Sequence, residues 1–431
     1  MAQPVTAPGP NHATGRPTHV RHVVLGLTVA AYMITYMDRQ VLATTRPAIM
    51  EELGISLTAM GWVTFAFRIA YALFQVPGGW LGDTIGARRA LTMVVSWWSA
   101  FTALAWNAAS MIVIQVFFGL GEAGAFPIAT RSLSRWMRPS ERGFAQGITH
   151  AGSRLGGAIT PTVVTLAILP FFGWRAAFYA FGVLGVVWSA IWFFYYRDTP
   201  EEHKSVNAAE REWIAGGVKR KGLGKVPWGQ ILSHGNLWIL SVMYFFYNYN
   251  LNVYQDWFPT YLRQSKGMSL TQMGVYASFP LLAGVIGDLA GGWFSDIVLR
   301  RTGNVNLARR WVAIAGFLVS AVATVPAVLA QDPKISVACY CVAFFGLEWT
   351  VGISWAVTLD IGGDFAGSVS AVMNMLGNIG GAVAATVVTY TAARYGWNVP
   401  FMMTAGLCLI AAVLWLKIEA ARRVFAENTA S

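Results

Sequence analysis

Ionisable residues stand inside long apolar stretches of this sequence, where a charge needs a partner or a water-filled cavity. They are Asp38, Arg39, Arg68, Glu122, Arg154, Asp288 and Glu348. An arginine guanidinium is permanently charged and can hold a carboxylate through two parallel hydrogen bonds. A buried carboxylic acid can take up and release a proton near neutral pH. Each of these residues is therefore a candidate for function.

Asp38 and Arg39 are adjacent, so their side chains point in different directions from a helix. Neighbouring residues on a helix point about 100° apart. Arg39 can therefore face a cavity while Asp38 turns toward a neighbouring helix. One side chain can hold a substrate while the other holds a proton.

The elements that carry these residues are predicted to span a membrane. Of the 431 residues, 55% are hydrophobic and only 12% are charged, about half the charged fraction of soluble domains. The mean hydropathy is +0.49, and the 44 Gly and 19 Trp are typical of helices in a bilayer. This balance disfavours a soluble enzyme and excludes disorder, a coiled coil and a collagen.

Apolar segments of about 20 residues or more recur along the chain, which is the length that a bilayer requires. We expect twelve transmembrane helices at 22–46, 58–82, 89–109, 111–134, 144–169, 175–196, 236–262, 270–295, 311–330, 336–360, 366–393 and 398–419. The break at 107–110 rests on turn residues and on the charge pattern. The predicted fold class is an all-α integral membrane protein.

The basic residues follow the predicted spans. With a cytoplasmic N-terminus, 22 of the 31 Lys and Arg fall on the cytoplasmic face, six on the other face and three inside spans. This asymmetry fits the positive-inside rule, with both termini cytoplasmic in an inner membrane, and no nucleic-acid partner is expected. Cys339, Cys341 and Cys408 lie in apolar runs without metal or disulfide spacing, so no cofactor or metal is expected.

The chain is predicted to divide into two similar halves. We expect a cytoplasmic tail at 1–21, six-helix bundles at 22–196 and 236–419, a cytoplasmic linker at 197–235 and a tail at 420–431. The stretch Gly78-Gly-Trp-Leu-Gly-Asp83 is echoed by Gly291-Gly-Trp-Phe-Ser-Asp296, and paired arginines follow each. The echo indicates a duplicated six-helix unit.

The first of these stretches opens a recognisable loop. The segment from Gly79 to Arg89 resembles the signature loop of the major facilitator superfamily between its second and third helices. The matching positions are Gly79, Asp83, Gly86, Arg88 and Arg89, and Asp296 is the counterpart in the second half. We expect the glycines to allow a tight turn and Asp83 to pair with arginines or a helix end. The alternative is a merely solvated turn.

Four further motifs resemble one branch of that superfamily, the anion:cation symporters with galactonate, hexuronate and glucarate permeases. They are Tyr36-Met-Asp-Arg39, Gln75-Val-Pro-Gly-Gly-Trp80, Gly119-Leu-Gly-Glu-Ala-Gly-Ala-Phe-Pro127 and Trp257-Phe-Pro-Thr-Tyr-Leu262. The resemblance implies two pseudo-symmetric six-helix bundles and proton-coupled symport of a small organic anion, a sugar acid, by alternating access. It implies a transporter rather than an enzyme.

The resemblance also implies roles for three of the charged residues. Arg39 would bind the substrate carboxylate, and Asp38 and Glu122 would carry protons. For Arg39 the alternative is a structural ion pair with Asp38, and for Glu122 it is an acid that serves helix packing.

One position departs from the family pattern. Family members commonly carry an arginine seven residues before the fourth-helix glutamate, where this chain has Gln115. We expect Arg68 to supply the missing charge, because it lies three residues before Tyr71, which matches a family position that contacts substrate. The alternative for Arg68 is a structural pair with Asp38, Glu122 or Glu348.

Further candidates for lining the cavity are polar or aromatic residues, chosen by their position in the predicted spans. They are Ser153, Asn248, Tyr249, Trp355, Asn374 and Asn378. Their amide and hydroxyl groups could bind sugar hydroxyls, but such groups also join helices within lipid. The expected partners are a small organic anion, protons and the lipid bilayer, and the expected state is a monomer. Open alternatives are an exchanger or uniporter, and an aromatic or dicarboxylic substrate.

Overall fold

The protein is helical throughout the part of the chain that its computed structural model describes. That part comprises residues 16–102, 108–138, 142–215, 227–362 and 366–422, and a few side chains inside helices, including that of Asp83, lie outside the description. The N-terminal half contains α1 (Val20–Leu53), α2 (Leu57–Ile85), α3 (Ala87–Thr102), α4 (Ala108–Ala123), α5 (Ala125–Trp136), α6 (Arg142–Val163) and α7 (Leu169–Tyr195).

Caps and glycines set the ends of these helices. The α1 helix ends at Gly54, which adopts a left-handed φ of 62°, and α2 begins at Ser56, whose hydroxyl accepts from the Ala59 N–H at 3.2 Å. Gly124 separates α4 from α5, so the fourth predicted span is built from two helices. Gly173, with φ 73°, interrupts the run from α6 to α7 and divides the fifth predicted span from the sixth.

The second half follows two short helices of the linker. The linker helices are α8 (Ala208–Ala215) and α9 (Trp228–Ser233). The C-terminal half contains α10 (Gly235–Asn252), α11 (Phe258–Gln264), α12 (Leu270–Thr302), α13 (Val312–Leu329), α14 (Pro333–Glu348), α15 (Val351–Gly362), α16 (Ala366–Tyr395) and α17 (Asn398–Trp415). A π-helical segment at 253–257 joins α10 to α11.

Length and composition identify membrane-crossing segments directly. Within the described residues, nine helical segments are long and apolar enough to cross a bilayer. One of them, Gly147–Tyr195, has 49 residues and contains the break at Gly173, so it supplies two crossings. The shorter α3 and the polar α10–α11 unit fall outside that set and complete the twelve predicted spans. The predicted all-α membrane class is confirmed.

The two halves approach each other closely at one end of the bundle. We call the end where α1 begins the terminal face, and the end where α1 finishes the opposite face. Near the opposite face, a Cβ on Gly61 would lie 2.3 Å from Thr389 Oγ1, and a Cβ on Gly274 would lie 1.9 Å from Thr165 Oγ1. Glycine at these positions lets α2 pack on α16 and α12 pack on α6 without a clash. The halves are therefore closed against each other on the opposite face.

Candidate functional site

Arg39 and Glu122 form an ion pair in the middle of the N-terminal half. The Arg39 Nε donates to Glu122 Oε1 at 2.8 Å, and the two side chains are 10% and 0% exposed. Gly119, one turn before the glutamate, brings α4 against α2, since a Cβ there would lie 2.5 Å from the Phe67 carbonyl oxygen. This close packing places the glutamate beside the central part of α1.

Aromatic rings surround the guanidinium of this pair. The Arg39 Cζ lies 4.6 Å from the ring centroid of Tyr71, 5.2 Å from that of Tyr36 and 5.5 Å from that of Phe67. Ring faces attract a cation and at the same time exclude water. The aromatic shell packs around the guanidinium and limits its positions.

Asp38 points away from Arg39. Its Oδ2 accepts from the Trp98 indole N–H at 2.9 Å, and the side chain is buried. The alternative that Arg39 pairs with Asp38 is wrong for this structure, because the 100° between adjacent helical residues turns Asp38 toward α3. Arg39 is ion-paired, but its carboxylate partner comes from α4.

The Arg39–Glu122 pair leaves hydrogen-bonding capacity unused. Arg39 Nη2, Glu122 Oε2 and Asp38 Oδ1 are all buried and have no hydrogen-bond partner. Buried polar atoms are normally satisfied, so these three atoms are candidates for contact with a ligand or a proton. A guanidinium donor is available to an anion here, and a carboxylate oxygen is available to a proton.

A cavity lies beside this pair, within the N-terminal half and against the segment at 253–257. Its charged and polar lining comprises Arg39, Arg46, Arg68, Asp38, Asp256, Thr64 and Gln115. The rest of the described lining is aliphatic or aromatic, from α1, α2, α3, α4 and α7. Gln115 and Arg68 thus line the same cavity as Arg39. Arg68 is therefore placed where it can supply the positive charge that a family arginine would bring at position 115.

Arg68 has a partner that the sequence did not suggest. Its Nη2 donates to both carboxylate oxygens of Asp256, at 2.9 and 3.0 Å, and the two side chains are 7% and 9% exposed. The structural partners considered for Arg68 were Asp38, Glu122 and Glu348, so that part of the expectation is wrong. Asp256 stands inside the apolar segment 236–262, so it meets the same criterion as the other charges, an ionisable residue within a predicted span.

The main chain around Asp256 is hydrogen-bonded to side chains of the N-terminal half. Pro259 has no N–H, so the carbonyl of Gln255, four residues earlier, lacks its helical donor. That carbonyl accepts from Gln40 Nε2 at 3.4 Å, and the Asp256 carbonyl accepts from Arg46 Nη1. The π-helical turn thereby offers main-chain acceptors to the other half.

A second ion pair crosses between the halves at mid-depth. Arg154 Nη1 of α6 lies 2.6 Å from Glu348 Oε1 of α14, and Tyr247 of α10 donates to the same oxygen at 3.1 Å. The glutamate is fully buried. Sequence reasoning found both charges but not their pairing, because they are 194 residues apart and belong to different halves.

Two of the further cavity candidates lie close to the boundary between the halves. Trp355 donates its indole N–H to the Tyr244 hydroxyl at 2.9 Å, and its ring lies 6.5 Å from that of His150. Ser153, one turn along α6, donates to the His150 carbonyl at 2.6 Å. Trp355 therefore lies at the boundary between the halves, and the Ser153 hydroxyl donates within its own helix.

Four other candidates lie in the C-terminal half, away from the cavity beside Arg39. Asn248 donates to the Tyr244 carbonyl at 3.2 Å, and Asn378 donates to the Asn374 carbonyl at 3.0 Å, so both amide groups bond to their own helices. Tyr249 is buried, and its hydroxyl has no hydrogen-bond partner. None of these four residues lines the cavity beside Arg39.

The signature loop is fastened to the end of α7. Gly86 adopts φ 83°, and a Cβ there would lie 2.5 Å from the Asp198 carboxylate, so only glycine fits. The Arg88 N–H donates to that carboxylate at 3.1 Å, and its Nε donates to the Phe193 carbonyl at 2.8 Å. Arg89 is exposed. Gly79 belongs to α2, and the expected partner of Asp83 cannot be assessed, since that side chain lies outside the described residues.

The counterpart in the second half holds a charge cluster. Asp296 lies 2.9 Å from Arg309 Nη1, and Asp360 lies 3.1 Å from Arg309 Nε. Within the described part of the chain, no group of three or more His, Cys, Asp or Glu could hold a metal ion.

A family model now identifies the chain. The model of the Major Facilitator Superfamily matches residues 28–385. The chain belongs to this superfamily. It is accordingly a multi-pass membrane transporter and not an enzyme, as the signature loop predicted.

Curated relatives place it within a branch of the superfamily. A probable sulfoacetate transporter, SauU, of Cupriavidus necator is 37% identical over 93% of this chain and 94% of its own length. A hexuronate transporter of Bacillus subtilis is 31% identical, covering 91% and 92%. A D-galactonate transporter of Escherichia coli is also 31% identical, covering 93% and 96%. The named relatives thus carry organic anions, and the predicted sugar-acid branch is confirmed.

Solved structures support the fold independently. A bacterial homologue of the human lysosomal transporter Spinster, in an inward-facing and unoccupied conformation, aligns with a TM-score of 0.76 at 16% identity. The alignment covers 93% of this chain and 97% of that one. The predicted superfamily fold is confirmed.

Proposed function

We propose that this protein imports a small organic anion together with protons across the inner membrane, by alternating access. The observation that carries the proposal is the Arg39–Glu122 pair, in which Arg39 Nη2 and Glu122 Oε2 are buried and unused. An anion takes the free guanidinium donor, and a proton on the glutamate releases the arginine from its internal partner. Binding of the two ligands is coupled because both act on one ion pair.

The substrate class that we propose is a sugar acid. Two of the relatives are named for hexuronate and galactonate, and another, of Escherichia coli, for galactarate and D-glucarate. A short sulfonated carboxylate is the second candidate, because the relative named for sulfoacetate is 37% identical. Both classes present a carboxylate that fits the arginine fork.

The orientation follows from the distribution of charge. The terminal face carries most of the Lys and Arg between spans and is assigned to the cytoplasm, with both chain ends there. The contacts at Gly61 and Gly274 then close the extracellular side. In this assignment the described state has its two halves shut against the outside. A single chain contains the whole Arg39 site, which supports a monomer as the working unit.

Uptake into proteoliposomes tests the coupling. We expect wild-type protein to accumulate a labelled sugar acid only under an inward proton gradient. Glu122→Gln removes the protonatable group but keeps the side-chain volume, so gradient-driven accumulation is lost while exchange of internal for external substrate continues. Glu348→Gln is the matched control, since it neutralises a buried glutamate of the C-terminal half that does not contact Arg39.

The same assay distinguishes the alternatives. Flux that ignores the proton gradient and is unchanged in Glu122→Gln would make the protein an exchanger or a uniporter. If Glu348→Gln uncouples transport and Glu122→Gln does not, the coupling site has been assigned to the wrong half. No flux of any organic anion would reject the proposed substrate class.

A further inference from the structure

The cavity beside Arg39 contains a second arginine that is already holding a carboxylate. Asp256 presents both of its oxygens to Arg68 Nη2, at 2.9 and 3.0 Å. A substrate carboxylate or sulfonate would approach an arginine in a similar way. Asp256 therefore occupies the place of an anionic ligand in this state.

Arg68 and Arg39 are close enough to share one small molecule. Each guanidinium carbon lies 5.5 Å from the centroid of the Phe67 ring, so their separation is at most twice that distance. Both residues line the same cavity. A short chain with an anionic group at each end covers this span.

Both arginines retain donors for a ligand. Arg39 Nη2 and Arg68 Nε are buried without a hydrogen-bond partner. Beyond the charged groups, the described polar lining is limited to Thr64 and Gln115, so few partners remain for a row of sugar hydroxyls. The charge of Arg39, Arg46 and Arg68, rather than hydroxyl recognition, dominates the chemistry of this cavity.

We infer that the transported substrate is a dianion, with one anionic group on Arg39 and the other on Arg68, where it replaces Asp256. The inference rests on the proposed function and makes its substrate class narrower. Asp256 balances the charge of Arg68 while the cavity is empty. Since Asp256 belongs to the C-terminal half, its displacement also breaks a tie between the halves near the opposite face.

Uptake of four labelled acids tests the inference. Sulfoacetate and D-glucarate carry two negative charges at neutral pH, whereas D-galactonate and D-glucuronate carry one. We expect wild-type kcat/KM to be at least about tenfold higher for the dianions. Arg68→Gln should lower kcat/KM for the dianions by roughly a hundredfold, as expected for a lost charge-assisted contact, and for the monoanions by only a few fold.

The ratio of dianion to monoanion transport distinguishes a binding role of Arg68 from a structural one. The matched control is Arg154→Gln, which removes the arginine of the other pair between halves, outside this cavity. It can lower all four rates but should leave the ratio of dianion to monoanion transport unchanged. Asp256→Asn frees Arg68 and should lower the KM for dianions.

Each result bears on one claim. An unchanged ratio in Arg68→Gln, or a wild-type protein that prefers monoanions, overturns the dianion inference while the proposed symport stands. Transport of none of the four acids rejects the proposed function itself. If Arg68→Gln fails to fold, as thermal unfolding in detergent would show, the KM shift in Asp256→Asn decides, and no fall in the dianion KM overturns the inference.

Discussion

The central glutamates of the two halves differ in where their arginine partners come from. In the N-terminal half, Glu122 is paired with Arg39 of the same half. In the C-terminal half, Glu348 accepts from Tyr247 of its own half, but its cationic partner Arg154 comes from the other half. The duplicated architecture is the same, yet one ion pair is internal and the other joins the halves.

The distribution of charge explains this difference. The three arginines inside predicted spans, Arg39, Arg68 and Arg154, all belong to the N-terminal half. Arg68 and Arg154 both find carboxylates on the C-terminal half. An internal pair keeps its geometry when the halves rock as rigid bodies, whereas pairs between halves must break or reorganise. The internal pair therefore suits ligand and proton chemistry, and the Arg154–Glu348 pair suits control of the motion, while the Arg68–Asp256 pair can serve both.

Breaking the Arg154–Glu348 pair gives the largest expected effect on stability. Glu348→Leu leaves a buried guanidinium without its charge partner and should lower the free energy of unfolding by about 3 kcal/mol. The double variant Arg154→Met/Glu348→Leu should recover most of that loss, because both charges are then removed together. Thermal or denaturant unfolding in detergent measures both.

The internal pair supplies the comparison. Arg39→Met/Glu122→Leu should likewise regain stability relative to Glu122→Leu, but it should have no transport activity, whereas Arg154→Met/Glu348→Leu keeps measurable transport. Equal loss of transport in the two double variants would remove the distinction between the internal and the shared pair.

A bulky residue at the closed face gives an intermediate effect. Gly274→Val places side-chain atoms where Thr165 already lies, so the halves can no longer meet on the opposite face. We expect transport to fall about tenfold and the open-outside state to gain population. Gly26→Val is the control, because a Cβ at Gly26 has nothing within 4 Å.

Alkylation of a reporter cysteine measures this shift. Ser278, which is buried and hydrogen-bonded to Thr162 across the halves at 2.9 Å, is replaced by Cys in a background without the native cysteines. The reporter should react faster with an impermeant reagent from outside in Gly274→Val. Equal rates in Gly274→Val and Gly26→Val would contradict closure at this contact.

The smallest effect is expected within the N-terminal half. Trp98→Phe removes the indole N–H that Asp38 accepts at 2.9 Å, while keeping an aromatic ring. The variant should lose about 1 kcal/mol of stability. Gradient-driven uptake should fall two- to threefold with little change in exchange, since the donor acts on an acid assigned to proton carriage. A larger fall in exchange than in driven uptake would place Asp38 in substrate binding instead.

The sequence was a good guide to local structure and a poor one to contacts between halves. Apolar length and charge patterning predict the membrane helices, and the Tyr36–Arg39 and Gly119–Pro127 motifs point to Arg39 and Glu122. The partners of Arg68 and Arg154 depend on how the two bundles meet, which no periodicity encodes. Pro259 marks the free Gln255 carbonyl in the sequence, but the sequence does not show that Gln40 of the other half donates to it.

The linker offers a way to watch the halves move. Glu210 of α8 is fully buried, and its Oε1 accepts from the main-chain N–H of Arg21, so this helix is fixed to the start of α1. Ile231 of α9 is buried in the core that contains much of the C-terminal half. Fluorophores at the exposed positions 211 and 230 would therefore each travel with one half. Energy transfer between them would turn the transporter into an optical sensor of its own substrate.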